Sequence, residues 1–169
     1  MAELFPLGVR RDGSYYTRIE WTDHTETDPL LWVGNIIDDD IERNGGTWGS
    51  NTYGPSNLVL SFFGEEQEIS RIRLYRNVGV TISVIEELCK TVRIYYSNTD
   101  DPRKLRSKED KIDDVAWTPL CTVTTDKSEG WQEVPLEAPI RAKYLRFELV
   151  ENHGTPIDWV ELSEIKIYP

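Results

Sequence analysis

The chain has 169 residues, 38% hydrophobic and 11% aromatic, enough for one domain with a core and too apolar for a disordered chain. Its formal charge of -11 opposes docking on nucleic acid or an anionic bilayer, where basic clusters supply most of the attraction. No apolar run approaches the roughly 18 residues of a membrane span, and the two cysteines, Cys89 and Cys121, define neither a disulfide framework nor a zinc site, so both are expected as free, partly buried thiols.

Residues 1–13 read as an N-terminal extension, with neither the basic nor the apolar region of a signal peptide. The chain is therefore expected to be either intracellular or a module of a longer secreted protein. From residue 14 to 169 the pattern is strands between loops. Tyr15 to Trp21 is rich in β-formers after the turn-like Arg11-Asp12-Gly13-Ser14. Thr22 to Leu30 is a polar loop with His24 and Pro29, and Trp48 to Ser56 is a second loop. Asn57 to Phe63 is apolar on both alternating faces, which suits a strand covered on each side.

After Gly64-Glu65-Glu66, Ile69 to Arg76 alternates as a half-exposed strand. Asn77 to Thr91 reads as loop with room for one helical turn, and Val92, Ile94 and Tyr96 mark the next strand. Ser97 to Asp114 is a charged, solvated excursion. Trp117 to Thr124 and Trp131 to Val134 are expected to pair across Thr125 to Gly130, and Trp48, Trp117 and Trp131 to lie in the core. Leu145, Phe147 and Leu149 face inward with Tyr144, Arg146 and Glu148 outward. Glu151 to Asp158 is loop, and Leu162 to Tyr168 closes the chain with Ile165 and Ile167 inward. Some eight short strands and almost no helix define an all-β fold, an antiparallel β-sandwich or jelly roll.

One stretch stands apart from this alternation. Asn35 to Trp48 sets Ile36 and Ile37 against three consecutive carboxylates, Asp38, Asp39 and Asp40, before a Gly-rich turn with Thr47 and Trp48. Adjacent carboxylates repel, and either wide solvation or a hard divalent ion relieves that repulsion. Asp38 and Asp40 are the stronger donors, because alternate side chains of an extended segment share one side.

The order of these features, from about Tyr15 to Tyr168, resembles the discoidin domain, or coagulation factor V/VIII C-type domain, which includes family 32 carbohydrate-binding modules. Its pieces are the acidic loop leading to Thr47-Trp48, the strands Leu58 to Phe62, Ile69 to Arg76, Val92 to Ser97 and Tyr144 to Leu149, the Trp117 and Trp131 strands, and the closing Leu162 to Tyr168. The resemblance implies a galactose-binding-domain-like sandwich with a structural calcium (Ca2+) ion. The family's ligands fall on the carbonyls of Asn35, Asp40 and Ser163 and the carboxylates of Asp38 and Glu164. Its threonine falls on Gly46, with Thr47 one residue late.

The resemblance also implies a carbohydrate, a mono- or oligosaccharide, held by loops at one end of the sandwich. Arg76 matches an arginine that contacts galactose-type ligands. Thr81 replaces the family's asparagine, leaving Asn77 as the nearby substitute, and Gly49 replaces its histidine, leaving His24. Trp159 lies near the family's stacking aromatic, with Tyr53 and Trp32 as further candidates. Such modules accompany catalytic domains in secreted or surface proteins. A protein-binding module of the same fold is the alternative reading, and membrane docking a third. No catalytic motif is present, and carboxylate pairs such as Asp38 with Asp40 or Asp158 with Glu161 need no chemistry to explain them.

Overall fold

The computed structural model describes residues 8–23, 32–41, 48–50, 55–78, 85–98, 112–155 and 159–169. Strand β3 (Ser56–Ser61) is buried at every position, as its two apolar faces require. It lies between β1 (Arg18–Thr22) and β10 (Tyr144–Asn152). Beyond β10 come β6 (Cys89–Ser97) and the edge strand β7 (Thr118–Thr124), and all four pairings are antiparallel. The facing layer sets β5 (Arg71–Arg76) between β12 (Glu164–Tyr168) and β8 (Gly130–Glu133), again antiparallel. Two short ribbons complete the sandwich: β2 (Trp48–Ser50) with β11 (Val160–Leu162), and β4 (Gln67–Ile69) with β9 (Ile140–Ala142). The core gathers Leu58, Leu60, Leu145 and Phe147 with Ile72, Leu74, Ile165 and Ile167. Trp48 and Ile36 belong to the same core and are fully buried.

Antiparallel register brings the ends of β1, β2, β5, β7 and β10 and the starts of β3, β6, β8, β11 and β12 to one end of the sandwich. Contacts between the layers tie that end together: Leu88 bridges Glu161, the His153 amide donates to the Glu86 carbonyl, and the Asn77 amide donates to Ser163 Oγ.

Several elements differ from the expectation. The Trp117 and Trp131 strands do not pair, because β7 extends the five-stranded sheet and β8 the three-stranded one. The link between them crosses layers: Thr125 Oγ1 donates to the Cys89 carbonyl at 2.7 Å, while the Asp126 carbonyl accepts from Arg76. Trp131 lies half-buried on Tyr75 and beneath Arg73 rather than in the core. Trp117 packs instead on a second apolar cluster of Trp21, Val59, Ile112, Val115 and Tyr144, and its indole donates to the Ile112 carbonyl. Ile112, inside the stretch read as solvated loop, and Val115, just after it, are thus buried by local apolar contacts.

The strand expected from Val92 begins at Cys89, and the one expected to end at Leu149 runs on to Asn152. Arg146 and Glu148 do point away from the core, yet both are buried in a paired network. Arg146 donates to Asn57 and Asp113, and Glu148 accepts from Tyr95 and Arg93. Pairing of this kind is what makes burial of the charges tolerable. Residues 8–13 pack on the sandwich. Val9 bridges Tyr15, whose amide donates to the Ile167 carbonyl and covers the otherwise open edge of β12. Cys89 and Cys121 are both free.

Candidate functional site

The acidic loop is anchored from below. Residues Val33–Ile37 form a 3-10 turn that sinks Val33 and Ile36 into the core and leaves Asp38 at its C-terminal end. The Asp40 amide then donates to Asp38 Oδ1 at 2.9 Å, a side-chain turn typical of aspartate. Asp39 between them takes a left-handed φ of 66°, a conformation Asp tolerates better than most residues, and its carboxylate pairs with Lys166 and Arg10.

Glu164, on the same alternating face as Lys166, would be solvent-facing on a bare strand. Here it is fully buried. Neither of its carboxylate oxygens has a hydrogen-bond partner, and Arg10 Nη1 stands 3.9 Å from Oε1. Burial pushes its carboxyl up to about 9, with Arg10 pulling the other way and Asp38 and Asp39 adding to the rise. Asp38 is likewise raised, first by burial. Asp38 and Glu164, far apart in sequence, therefore lie within electrostatic reach of each other.

A buried carboxylate with two unpaired oxygens beside a second carboxylate is a donor set suited to a hard divalent cation. Among the described residues no three His, Cys, Asp or Glu side chains gather as a metal cluster, so such an ion would need carbonyl oxygens as well. Asn35 and Ser163 are buried nearby in sequence, at 8% and 2% exposure, whereas Asp40 is exposed. Thr47 lies outside the described residues.

Beside this pocket, Arg10, Arg11, Tyr16, Asp38 and Asp39 line an open cleft of about 240 Å³. Arg10 donates to the Ile37 carbonyl at 2.6 Å, and Lys166 bridges Asp39 and Asp12. Burial alone would raise the Asp12 carboxyl, but Lys166 and the hydroxyl and amide of Ser14 outweigh it and hold it at about 2. A depressed carboxyl stabilises the fold above its unfolded value, and that contribution is lost as pH falls through 2. Asp12→Asn is expected to lower the thermal midpoint at pH 7 by about 2 °C and to flatten the acid limb of a midpoint-against-pH curve.

Arg76, Asn77 and Trp159 all reach the loop end of the sandwich. Arg76 lies beneath it, at 2% exposure, donating to the Asp126 carbonyl. Asn77 is buried too, its amide on Ser163 Oγ and its side chain donating to the Ile41 carbonyl at 3.4 Å. Trp159 is half-buried, with its carbonyl accepting from Asn152 Nδ2. His24 and Tyr53 lie outside the described residues.

Two further residues stand out, His153, which the sequence did not single out for this end, and Trp32, a secondary candidate there. His153 is half-exposed, with Nε2 3.3 Å from Thr125 Oγ1, and burial and then Arg76 hold it below its usual value, so it is neutral at pH 7. The strand pairing of Asn152 with Cys89 and the bond from the His153 amide to the Glu86 carbonyl bring it there. Trp32 is 53% exposed, with its ring over Gly34, where a Cβ would stand 2.1 Å from the indole. In the sequence it is hidden within the apolar run Leu30-Leu31-Trp32-Val33.

No protein-family model matches the chain, and no curated protein matches it. Solved structures do. The family 32 carbohydrate-binding module of EndoD from Streptococcus pneumoniae superposes with a TM-score of 0.65 at 14% identity, covering 90% of this chain and 94% of that one. The family 32 module of NanJ from Clostridium perfringens, solved in complex with galactose, gives 0.65 at 14% identity over 91% and 94%. A GH29 fucosidase from Ruminococcus gnavus, in complex with fucose, matches 94% of this chain with 26% of its own length at a TM-score of 0.60 and 14% identity. The fold is that of a discoidin-like, family 32-type β-sandwich.

Proposed function

We propose that this chain is a non-catalytic carbohydrate-binding module, an accessory domain of a larger secreted or surface protein that acts on glycans, with calcium held between Asp38 and Glu164. The observation that carries the reading is the solvent-facing indole of Trp32, braced over Gly34 at the start of the turn that leads into the acidic loop. A flat, fixed aromatic face suits the apolar side of a sugar ring, and loses little side-chain freedom on binding. The likeness of the fold to family 32 carbohydrate-binding modules, one of them solved with galactose, and its match to one part of a longer fucosidase support the accessory role.

Asp38 and Glu164 would hold the ion together with the carbonyls of Asn35, Asp40 and Ser163. When bound it supplies the positive charge that the two carboxylates lack. Asp39, paired with Lys166 and Arg10, already joins the first loop to the last strand and so steadies the base of the segment that presents Trp32. A glycan array followed by calorimetry on the best binder tests the sugar. Trp32→Ala is expected to weaken binding about tenfold while leaving the thermal midpoint within a few degrees. A blank array, with capture of a single protein partner instead, would favour the protein-binding reading.

A further inference from the structure

The guanidinium of Arg10 occupies an unusual place, because among the described residues it is the cation that pairs with the buried Glu164 carboxylate, and it comes from a segment remote in sequence from both the acidic loop and β12. It is held there from two sides. Its Nη2 donates to the Ile37 carbonyl at 2.6 Å, one residue before Asp38, and its Nη1 stands 3.5 Å from Asp39 Oδ1 and 3.9 Å from Glu164 Oε1. The Arg10 side chain is 12% exposed and Glu164 fully buried. Arg10 Nε and Nη1 have no hydrogen-bond partner, and neither do the two oxygens of Glu164. Unspent donors thus face unspent acceptors across a gap slightly too long for a hydrogen bond.

We propose that Arg10 is a built-in competitor for the cation pocket: its charge occupies the approach to Glu164, and a divalent ion binds only by sharing that carboxylate with the guanidinium or moving it aside. The inference rests on the calcium reading above and adds the residue that sets the affinity. An ion at about 2.4 Å from Glu164 Oε1 would lie within roughly 6 Å of Nη1, where like charges in a partly buried site repel strongly. The neighbouring cation, Lys166, is already bridged between Asp12 and Asp39. Arg10 has a route of withdrawal, since it lines the open cleft with Tyr16 and already lies over that ring at 5.3 Å.

The test is calcium titration by calorimetry at pH 9.5, where Glu164 has released most of its proton and the ion competes chiefly with Arg10, on wild type, Arg10→Met, Arg10→Gln and Arg10→Lys, each first shown to fold by thermal denaturation in chelator. The two neutral variants are expected to bind calcium at least about tenfold more tightly than wild type, and Arg10→Lys to stay within about threefold of it, because charge rather than shape opposes the ion. The second neutral variant decides the question should the first fail to fold. Wild-type affinity in a folded neutral variant, or weaker, would overturn the role given to Arg10 and leave the calcium site standing. Absence of calcium binding in wild type and variants alike would sink the calcium reading itself, and this inference with it.

Discussion

Phe147→Ala is expected to destabilise the domain by about 3–5 kcal/mol, lowering the thermal midpoint by roughly 10 °C. The ring is fully buried, and it sits mid-way along β10, opposite Leu58 on one neighbouring strand and Ile94 on the other. Truncation there removes apolar surface from both flanking pairs at once. Since the central strand is fixed by ladders on both sides, it cannot move in to fill the void, which puts the cost at the upper part of the range for aromatic truncations. The consequence reaches the loop end, because β10 finishes at Asn152, whose side-chain amide holds the carbonyls of Thr155 and Trp159. Urea denaturation measures it. A loss below about 1 kcal/mol would mean that Phe147 does not fill the space between the sheets.

The strands with strict alternation were legible because both faces had different fates. Leu145, Phe147 and Leu149 against Tyr144, Arg146 and Glu148 give the inward face directly, and the doubly apolar Leu58 to Phe62 marks a strand covered on both sides. What alternation cannot report is the partner. Nothing local distinguishes a hairpin between β7 and β8 from a link that crosses layers, since the deciding bonds come from Cys89 and Arg76, distant in sequence.

Burial of outward-facing residues was hidden for the same reason. Arg146, Glu148 and Glu164 follow a solvent-facing pattern, and only tertiary cover, Asp113 and Asn57 in one case and Arg10 in the other, takes them out of water. The family resemblance set Asp38 with Glu164, and the two carboxyls do act on each other, but nothing in the sequence pointed to Arg10, which lies in the stretch read as an extension. The aromatic candidates divide similarly: Trp48 is core because it opens β2, paired with Leu162 of β11, while Trp32 escapes because its own neighbours Val33 and Ile36 take the buried places.

In chelator, Glu164→Gln is expected to be more stable than wild type at pH 8, on the order of 3 kcal/mol, and the order is expected to reverse in millimolar calcium. The sign follows from proton binding. Burial, opposed by Arg10 and reinforced by Asp38 and Asp39, raises the folded-state value of Glu164 to about 9 from an ordinary 4.5, so between these values the ion-free native state holds a proton that the unfolded chain has released. Stability then falls as pH rises through that window, from its full value below 4.5. Glutamine keeps the shape without the charge and removes the slope.

A bound divalent ion inverts the linkage, because it prefers the ionised carboxylate, and wild type alone then gains stability by binding while the variant loses a ligand. Midpoints measured from pH 5 to 9, with chelator and with calcium, give all four limbs. A wild-type curve flat in chelator would mean that Glu164 keeps its charge unaided, with Arg10 already pairing it fully. A curve falling equally with and without calcium would mean that no ion reaches this carboxylate, and the link between the acidic loop and β12 would then rest on the side chains of Arg10 and Lys166 alone.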